Sequence, residues 1–370
     1  MASKFITNLT IKHFKSIENI TLNPKRINVF IGKPNVGKSN VLEALSMFCL
    51  PYGLENTGGK YEIREDFIRY EIMKDFYRFS DVTKDIEMIT NVGSLIIRQN
   101  RNLFSLVIGK NIDEEINELI KTASGNTNSL IQNLSDYKSE SNNGFLNPFY
   151  LDVSMEGNVG NAFDFNFYQT FIKRYDFKRF TSAHEEKLSP FTGFLNIPNG
   201  TNLFALIQTH PKIREIANDY FSEYKLDFVL RHRENSFEIQ RRYEGSVDTV
   251  PFSSTADTLQ RMIFYKAAIL SNEDSVLLFE EPESHTFPKY IDDLGELICE
   301  SKTNQFFIST HSPYLIQSLL KSDKQDELAI FVLDYENYMT IARMLSDDEI
   351  QQIYDEGVDV FFNLNVFGVK

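Results

Sequence analysis

The fold of this chain is decided by one stretch, Gly32-Lys33-Pro34-Asn35-Val36-Gly37-Lys38-Ser39. It matches the pattern G-x-x-x-x-G-K-[ST], whose two glycines let the backbone curl so that its N–H groups point at phosphate oxygens. An apolar run over residues 25–31 predicts a buried strand before the loop, and apolar residues at helical spacing over residues 40–47 predict a helix after it. This setting makes a chance glycine-rich turn the weaker interpretation.

Each part of the loop has an expected role toward a phosphate-bearing ligand. Lys38 is expected to reach the terminal phosphates, and the Ser39 hydroxyl is expected to bind Mg²⁺. The N-terminus of the following helix adds favourable partial positive charge. Nucleotide contacts are therefore predicted for Gly32, Lys33, Pro34, Asn35, Val36, Gly37, Lys38, Ser39 and Asn40.

Length and composition limit the architecture and the compartment. With 370 residues, the chain can build a large core as one discontinuous domain or as two domains. Cys49 and Cys299 make no disulfide framework and fit a reducing compartment as packing residues. The sequence has no signal-peptide core and no apolar run near the roughly 20 residues of a membrane span, so a cytoplasmic protein without a membrane partner is predicted. The net charge of −14 disfavours a broadly basic nucleic-acid surface but permits a local basic groove.

A pair of acids stands near the other end of the chain. Apolar residues 276–279 predict a short buried strand, and Glu280 and Glu281 follow at its carboxyl end, where open α/β sheets bind ligands. In such pairs the first acid binds magnesium through water and the second polarises the attacking water. Glu280 is therefore the predicted metal residue and Glu281 the predicted general base; a solvated acidic turn is the weaker alternative. Because most of the chain separates this pair from Ser39, a large insertion is expected to divide the fold into two lobes.

A third candidate is His311, which follows an apolar run over residues 304–310 that predicts another buried strand. A histidine in this place could contact a terminal phosphate or orient the attacking water. A single histidine after a strand is more often a cap or a packing residue. Its position in Ser-Thr-His-Ser-Pro (residues 309–313), shortly after paired acids, favours the catalytic role.

Together these motifs resemble the ABC-type ATPase heads of SMC, RecF and OLD-like proteins. Residues 5–18 resemble the first strands of those heads, residues 280–285 resemble their Walker B motif and D-loop, and residues 309–313 resemble their switch-histidine loop. The resemblance covers residues 1–50 and 190–345. It implies an α/β fold, namely a two-lobed ABC-type P-loop ATPase head whose nucleotide-binding fold is discontinuous.

The resemblance also implies a mechanism. Mg²⁺ and ATP would be bound between two head-to-tail subunits. One subunit would supply the Walker A loop with Lys38, the metal residue Glu280 and the catalytic residues Glu281 and His311. The other would supply the start of a signature helix. The chain departs from the family at Glu280, where the heads normally have Asp, so the geometry toward the metal is expected to differ.

The predicted signature segment, residues 252–261, departs from the family as well. The family motif has Ser followed by Gly at the start of a helix, and this segment has no glycine. Ser254, Thr255 or Asp257 are the predicted N-caps of a helix over residues 259–269. Contacts to the second subunit's ATP are predicted for Ser254, Asp257 and Thr258, with Thr255 as a further hydroxyl; a plain capped helix is the alternative.

Residues 111–165 are predicted to form a mainly helical insertion. Apolar positions mark one helical face before the polar tract at residues 122–129 and another face after it. The pattern falls short of the three or four heptads of a coiled coil, and its acidic surface is either solvated or a dock for a partner. The other predicted units are an ATPase lobe over residues 1–110, a second lobe over 166–345, and a C-terminal helix and tail over 346–370.

Some residues invite a second interpretation. Four basic groups are candidates for a phosphate-tracking groove: Lys173-Arg174, Lys178-Arg179, Arg231 with Arg233, and Arg241-Arg242. Alternation around the last two groups predicts strands with one solvated face, so DNA contact is not favoured. The Q-loop glutamine of the family stays open between Gln99, Gln132 and Gln169.

The function predicted from these features is Mg²⁺-dependent ATP hydrolysis by a homodimer or higher homo-oligomer that controls a separate effector protein, since the sequence shows no second catalytic set. Similar lone heads occur in bacterial anti-phage operons, and this likeness suggests a role in defence. One rival is a RecF-like repair ATPase that binds DNA. The other is an ATP-gated scaffold that does not hydrolyse ATP, which the missing signature glycine and Glu280 would explain.

Overall fold

The computed structural model describes residues 5–50, 54–57, 60–63, 67–109, 149–164, 171–180, 191–321 and 325–368. The strands are β1 (Leu9–Phe14), β2 (Ile17–Leu22), β3 (Ile27–Ile31), β4 (Leu54–Thr57), β5 (Lys60–Ile63), β6 (Ile86–Thr90), β7 (Gly93–Asn100), β8 (Leu103–Gly109), β9 (Phe149–Ser154), β10 (Val159–Asp164), β11 (Ile172–Tyr175), β12 (Asp227–Arg231), β13 (Ser236–Tyr243), β14 (Ser246–Pro251), β15 (Val276–Glu280), β16 (Gln305–Ser309), β17 (Leu328–Glu336) and β18 (Met339–Met344). The helices are α1 (Lys38–Ser46), α2 (Leu203–Thr209), α3 (Pro211–Ser222), α4 (Asp257–Leu270), α5 (Pro288–Glu300), α6 (Pro313–Leu320), α7 (Asp347–Glu356) and α8 (Leu364–Phe367).

A six-stranded sheet carries the predicted motifs, in the order β11-β15-β16-β3-β17-β18. All neighbours are parallel except β18, which is antiparallel to β17. Register pairs Glu280 with Ser309 and Ser309 with Phe30. The carboxyl ends of these strands therefore meet at one edge, which is where open α/β sheets place their ligands.

The strands that hold this edge are buried on both faces. All five residues of β3 and all five of β16 are buried, as expected for parallel strands covered by helices. Phe30 stacks between Phe307 and Phe331, with ring centroids 6.2 and 5.3 Å away. Each such ring contributes about 1.5–3 kcal/mol of burial free energy, so the site rests on a rigid core.

A seven-stranded antiparallel sheet, of order β10-β9-β8-β7-β6-β1-β2, packs beside it. Strands β9 and β10 fall within residues 111–165, the segment predicted to be a mainly helical insertion. The C-terminal end of that segment is thus β structure: β9 pairs with β8 along its length, and its residues Phe149, Tyr150 and Val153 are of types that favour strands. The two helices predicted around residues 112–134 lie outside the described residues.

Element boundaries differ little from the sequence prediction where motifs are strong. The strand predicted over residues 25–31 begins at Ile27, because Asn28 closes a turn by accepting from the Lys25 N–H and donating to the Lys25 carbonyl. Cys49 and Cys299 are buried, as predicted for packing residues. None of the helices in the described ranges has the length and apolar character that a membrane span requires.

A small antiparallel sheet, β12-β13-β14, lies beside helix α3 and next to the signature segment. Its inner face buries Phe228 and Phe237 against Phe252. Its outer face carries ion pairs, including Arg231 with Glu238 (2.7 Å) and Arg242 with Asp227 (3.2 Å). The prediction of strands with one solvated face is therefore confirmed.

Candidate active site

The loop between β3 and α1 requires glycine at two places. Gly32 has φ 149°, and a Cβ there would lie 2.4 Å from the carbonyl oxygen of Leu333. Gly37 has φ 98°, and a Cβ there would lie 2.2 Å from Thr340 Oγ1. Helix α1 follows with no side-chain cap and no acidic residue in its first turn. Its first N–H groups are therefore left for an anion.

Lys38 is folded back onto the loop. Its Nζ donates to the carbonyl oxygens of Gly32 (3.0 Å) and Lys33 (2.8 Å). Burial lowers the pKa of Lys38, while the charges of Glu281 and Glu280 oppose that shift. The ammonium is thus partly desolvated and held only by hydrogen bonds to two carbonyl oxygens. An anionic ligand could replace those oxygens as its hydrogen-bond acceptor.

Ser39 and Glu280 meet although most of the chain separates them. The Ser39 hydroxyl donates to Glu280 Oε1 over 2.5 Å. Arg174 donates to the other carboxylate oxygen, and Arg69 Nη2 lies 3.1 Å from Oε1. Burial favours the neutral acid, but Arg174, the Ser39 bond and Arg69 outweigh it and hold the pKa of Glu280 below its usual value. Despite its extra methylene, Glu280 reaches Ser39 as a charged carboxylate.

This pair suits magnesium that arrives with a nucleotide. Hydroxyl and carboxylate oxygens are ligands that Mg²⁺ prefers, and Mg²⁺ is commonly bound by one or two protein groups together with substrate phosphates. In the described part of the chain, no group of three or more His, Cys, Asp or Glu side chains could hold a metal by itself. The residues present therefore fit a metal whose remaining ligands are phosphate and water.

Arg69 and Glu43 line this site, and the sequence analysis gave neither of them a role. Arg69 Nε donates to Glu43 Oε1 over 2.7 Å, and Lys15 pairs with the other oxygen of Glu43. Glu43 lies one helical turn after Ser39, on the same face of α1, a spacing that could have indicated it. Arg69 belongs to no local pattern, so no sequence signal marked it.

Arg174 was predicted only as part of a candidate basic groove, together with Lys173. Both residues are buried, and Lys173 Nζ donates to Asn272 Oδ1 (2.5 Å) and Ser275 Oγ (3.2 Å). The groove assignment is wrong for this pair, because β11 pairs with β15 and turns Arg174 onto Glu280. Arg174 instead neutralises the acid predicted to hold the metal.

We expect Arg174→Met to destabilise the protein by about 3–5 kcal/mol, since loss of one partner leaves a buried charge poorly compensated. Arg174 also donates to Ser46 Oγ and the Phe67 carbonyl, and both would lose a donor. Urea unfolding measures the change. Arg69→Met is the matched control: its side chain is 64% exposed, so a loss of at most about 1 kcal/mol is expected. Equal losses in the two variants would contradict this account of Glu280.

Glu281 and His311 stand together at the end of β15 and β16. Glu281 has φ 41°, and its N–H donates to the Ser309 carbonyl over 2.9 Å. His311 Nε2 lies 3.6 Å from Glu281 Oε1. Burial, with the Lys38 charge, lowers the pKa of His311 against the opposing charge of Glu281, so the ring is neutral at neutral pH.

Glu283 hydrogen-bonds the loop that carries His311. Its Oε1 accepts from Thr310 Oγ1 (2.6 Å) and from the His311 N–H (3.0 Å). The side chain is buried, and burial raises the pKa of Glu283. In the sequence, Glu283 falls within residues 280–285, which resemble a Walker B motif and D-loop, but that resemblance gave it no role of its own.

Most of the site residues predicted to act within one chain line a single cavity of about 480 Å³; Gly32, Lys33 and Val36 are not among its lining residues. Lys38, Ser39, Glu280, Glu281 and His311 line it, with Pro34, Asn35, Gly37 and Asn40 from the loop. Gln99, one of three candidate Q-loop residues, lies on β7 and donates to the Arg101 carbonyl. It does not line this cavity, and Gln132 and Gln169 lie outside the described residues.

The signature residues are not brought to this cavity. Ser254 and Thr258 line a separate, mostly apolar cavity of about 730 Å³. The side-chain N-cap prediction is wrong: α4 begins at Asp257, after Ala256. The hydroxyl groups are engaged elsewhere, since Thr255 Oγ1 donates to the Phe252 carbonyl and Thr258 Oγ1 to the His285 carbonyl. The first N–H groups of α4 are left without a side-chain cap.

Comparison with known proteins gives a family, a relative and a fold. The model of a family described as "AAA domain, putative AbiEii toxin, Type IV TA system" matches residues 27–317, well over half of the chain. A Helicobacter pylori protein named "ATP/GTP phosphatase" is 19% identical over 382 aligned positions, which cover 96% of this chain and 100% of that protein. A crystal structure of an Smc head bound to the C-winged helix domain of ScpA matches with a TM-score of 0.50 and 14% identity, over 94% of this chain and 100% of that one. This last likeness confirms the predicted ABC-type head fold.

Proposed function

We propose a function for this chain as a member of the family described as "AAA domain, putative AbiEii toxin, Type IV TA system". Two copies of the chain share each ATP site, and ATP hydrolysis controls a separate effector. ATPase activity and the ABC-type head follow from the family and the fold; the relative named as an ATP/GTP phosphatase supports the same chemistry. The observation that carries the proposal is the cavity in which the loop, Glu280, Glu281 and His311 converge while the signature segment faces elsewhere.

Binding begins at the loop. The free N–H groups at the start of α1 receive the phosphates, and Lys38 exchanges the carbonyl oxygens of Gly32 and Lys33 for phosphate oxygens. Ser39 and Glu280 would hold Mg²⁺, which neutralises charge on the phosphates and orients them. Arg174 and Arg69 keep Glu280 ionised for that purpose.

Hydrolysis then uses the two groups at the far side of the cavity. A water oxygen forms a bond to the γ-phosphorus while the bond from that phosphorus to the bridging oxygen breaks, which releases ADP and phosphate. Glu281 accepts the proton of the water, a general-base role worth about 10²–10⁴ in rate. His311, being neutral, donates its ring N–H to the γ-phosphate.

A second copy completes the site. The uncapped start of α4, with the exposed Ser254, offers N–H and O–H donors on a surface that no group of the same chain's loop reaches. A helix N-terminus suits the charge that develops on a transferring phosphoryl group, and the acid in the first turn of α4, Asp257, lies 3.6 Å from Arg261, whose charge opposes it. Head-to-tail pairing would place these donors over the γ-phosphate, even without the signature glycine of the related heads.

Mixing two inactive variants tests the shared site. Lys38→Met removes the loop lysine, and Ser254→Glu sets a negative charge against the γ-phosphate of the other copy. Each is expected to lose most phosphate release alone. An equimolar mixture is expected to regain a substantial fraction of the unmodified rate, since a mixed dimer contains one site with an intact loop and an intact signature.

The matched control mixes Lys38→Met with Glu281→Gln, two changes on the same side of the site. A mixed dimer of that pair contains no intact site and should stay inactive. Recovery in the control, or none in the first mixture, would contradict head-to-tail sharing. Size measurement with and without ATP follows dimer formation in the same samples.

The effector and the defence role rest on the family description, which names a putative toxin of a TA system. A bacterial host that carries the chain with its effector is expected to restrict phage growth, and Glu281→Gln should abolish that restriction. Equal plaque counts with and without the chain would remove this part of the proposal.

DNA binding as a RecF-like ATPase is less well supported. Arg231 and Arg241 pair with Glu238 and Asp248, and Arg242 Nε lies 3.2 Å from Asp227 Oδ2. These cations would have to leave acidic partners to track a phosphate backbone. The alternative predicts hydrolysis that DNA raises and that Arg231→Ala or Arg241→Ala makes insensitive to DNA.

A further inference from the structure

The C-terminal tail, residues 358–368, passes beside His311 of the catalytic cavity. The ring of Phe361 lies 6.2 Å, centroid to centroid, from the ring of His311, with 34° between the planes. Phe361 is half-buried and packs against the core. This distance is within the range at which aromatic rings contact each other. The tail therefore supplies one wall for the histidine that faces the γ-phosphate position.

The tail is held in place by its own anchors. Val360 and Phe367 are buried on either side of the contact. Asp359 accepts from the N–H groups of Phe361 (2.8 Å) and Phe362 (3.3 Å). These bonds fix the turn that presents the Phe361 ring.

A second anchor ties the end of the tail to the last strand of the central sheet. Arg343 on β18 donates to the Phe367 carbonyl and binds Glu349 of α7 through both carboxylate oxygens. The hydrogen bonds from Arg343 lower the pKa of Glu349 to about 2. The ion pair between Arg343 and Glu349 is thus charged through the whole neutral pH range.

His311 also contacts two acidic residues. Nε2 of His311 faces Glu281, and the backbone N–H of His311 is held by Glu283. The backbone is therefore fixed, but rotation of the ring about its side-chain bonds is limited only by its neighbours. The histidine side chain is 39% exposed, and Phe361 is an apolar neighbour whose ring contacts it.

We propose that Phe361 is a positioning residue: its ring holds the His311 imidazole in the orientation that directs Nε2 at Glu281 and the γ-phosphate. The inference deepens the proposed hydrolysis and rests on it. Phe362, the next residue, is 89% exposed. It offers a matched control because it shares the tail and the residue type but points away from the core.

Steady-state kinetics of single variants give the first test of the proposal. Phe361→Ala is expected to lower kcat roughly tenfold or more, since misplacement of a catalytic group by about 1 Å can cost a hundredfold. KM for ATP should change less than about twofold, because a group that acts only in the transition state leaves binding intact. Phe361→Tyr keeps the ring and should retain most of the rate, and Phe362→Ala should match the unmodified protein.

The decisive comparison is made in a His311→Ala background. There Phe361→Ala should cause no further loss, because the residue acts through the missing imidazole. A further loss equal to that in the unmodified background, or an equal loss from Phe362→Ala, would overturn the proposal and mark the tail as merely structural.

Histidine NMR separates this outcome from failure of the proposed function. With ¹³C-labelled histidine, the His311 resonance is expected to carry a ring-current shift that disappears in Phe361→Ala and persists in Phe362→Ala. An unmodified protein without turnover would overturn both the proposed hydrolysis and this role of Phe361. A protein with turnover whose His311 resonance ignores Phe361→Ala would overturn the positioning role alone.

Discussion

Glu281→Gln is expected to lower phosphate release by about 10²–10⁴-fold, the usual contribution of a positioned general base. The amide cannot take the proton of the attacking water, but it keeps the length and shape of the side chain. Glu281 is held by its own N–H bond to the Ser309 carbonyl and by the Ser284 hydroxyl. The variant should therefore bind ATP as tightly as the unmodified protein and accumulate as an ATP-bound dimer.

Glu273→Gln is the matched control for this result. Glu273 is an exposed acid ahead of the same strand, and its substitution by Gln removes the same charge. Its phosphate release should equal that of the unmodified protein. A Glu281→Gln protein that keeps more than about a tenth of the rate would show that another group takes the proton.

Lys38→Met is expected to weaken ATP binding by about 10- to 100-fold, since a hydrogen bond to a charged group contributes roughly 1.5–3 kcal/mol. Methionine has a similar length and fills the same space. The free protein should lose little stability, because the ammonium is partly desolvated and burial already lowers its pKa. Equilibrium binding of a fluorescent ATP analogue measures the affinity, and urea unfolding measures the stability.

Lys33→Met serves as the control for the charge change. Lys33 belongs to the same loop but is exposed, so its loss should reduce affinity only slightly, through long-range attraction that salt screens. Equal weakening by both substitutions would mean that the loop acts through its net charge alone. The specific role given to the Lys38 ammonium would then be wrong.

The central sheet and the catalytic cavity could be predicted because their signals are local. The loop Gly32 to Ser39 determines its own conformation through two backbone angles that only glycine adopts easily. Glu280, Glu281 and His311 follow short apolar strands, and parallel strands bring their carboxyl ends to one edge. Once the strands were recognised, the convergence of these side chains followed without any knowledge of the rest of the chain.

What could not be predicted depends on which distant segments become neighbours. Arg174 looked like a surface cation until the pairing of β11 with β15 turned it onto Glu280. Arg69 and Phe361 carry no local pattern, and each reaches the cavity only through the path of a connecting segment or the tail. The composition of strand β9 favours a strand, but its pairing with β8, more than 40 residues earlier, carries no local signal.

The N-cap error has a similar cause. Ser, Thr and Asp near a helix start are good capping candidates by composition. Here Thr258 is drawn to the His285 carbonyl of the loop after β15, and Thr255 turns back to Phe252. The His285 carbonyl is a partner from the tertiary structure that no window of sequence contains, whereas the Phe252 carbonyl lies three residues before Thr255 and competes locally for its hydroxyl.

Phosphate release by the purified, unmodified chain with Mg²⁺ and ATP, with DNA withheld and then added, tests the central claim most directly. The account predicts turnover that needs Mg²⁺ and is unchanged by DNA. Turnover that appears only with DNA would instead favour the repair ATPase. No turnover despite tight ATP binding would contradict the claim of hydrolysis and leave an ATP-gated scaffold.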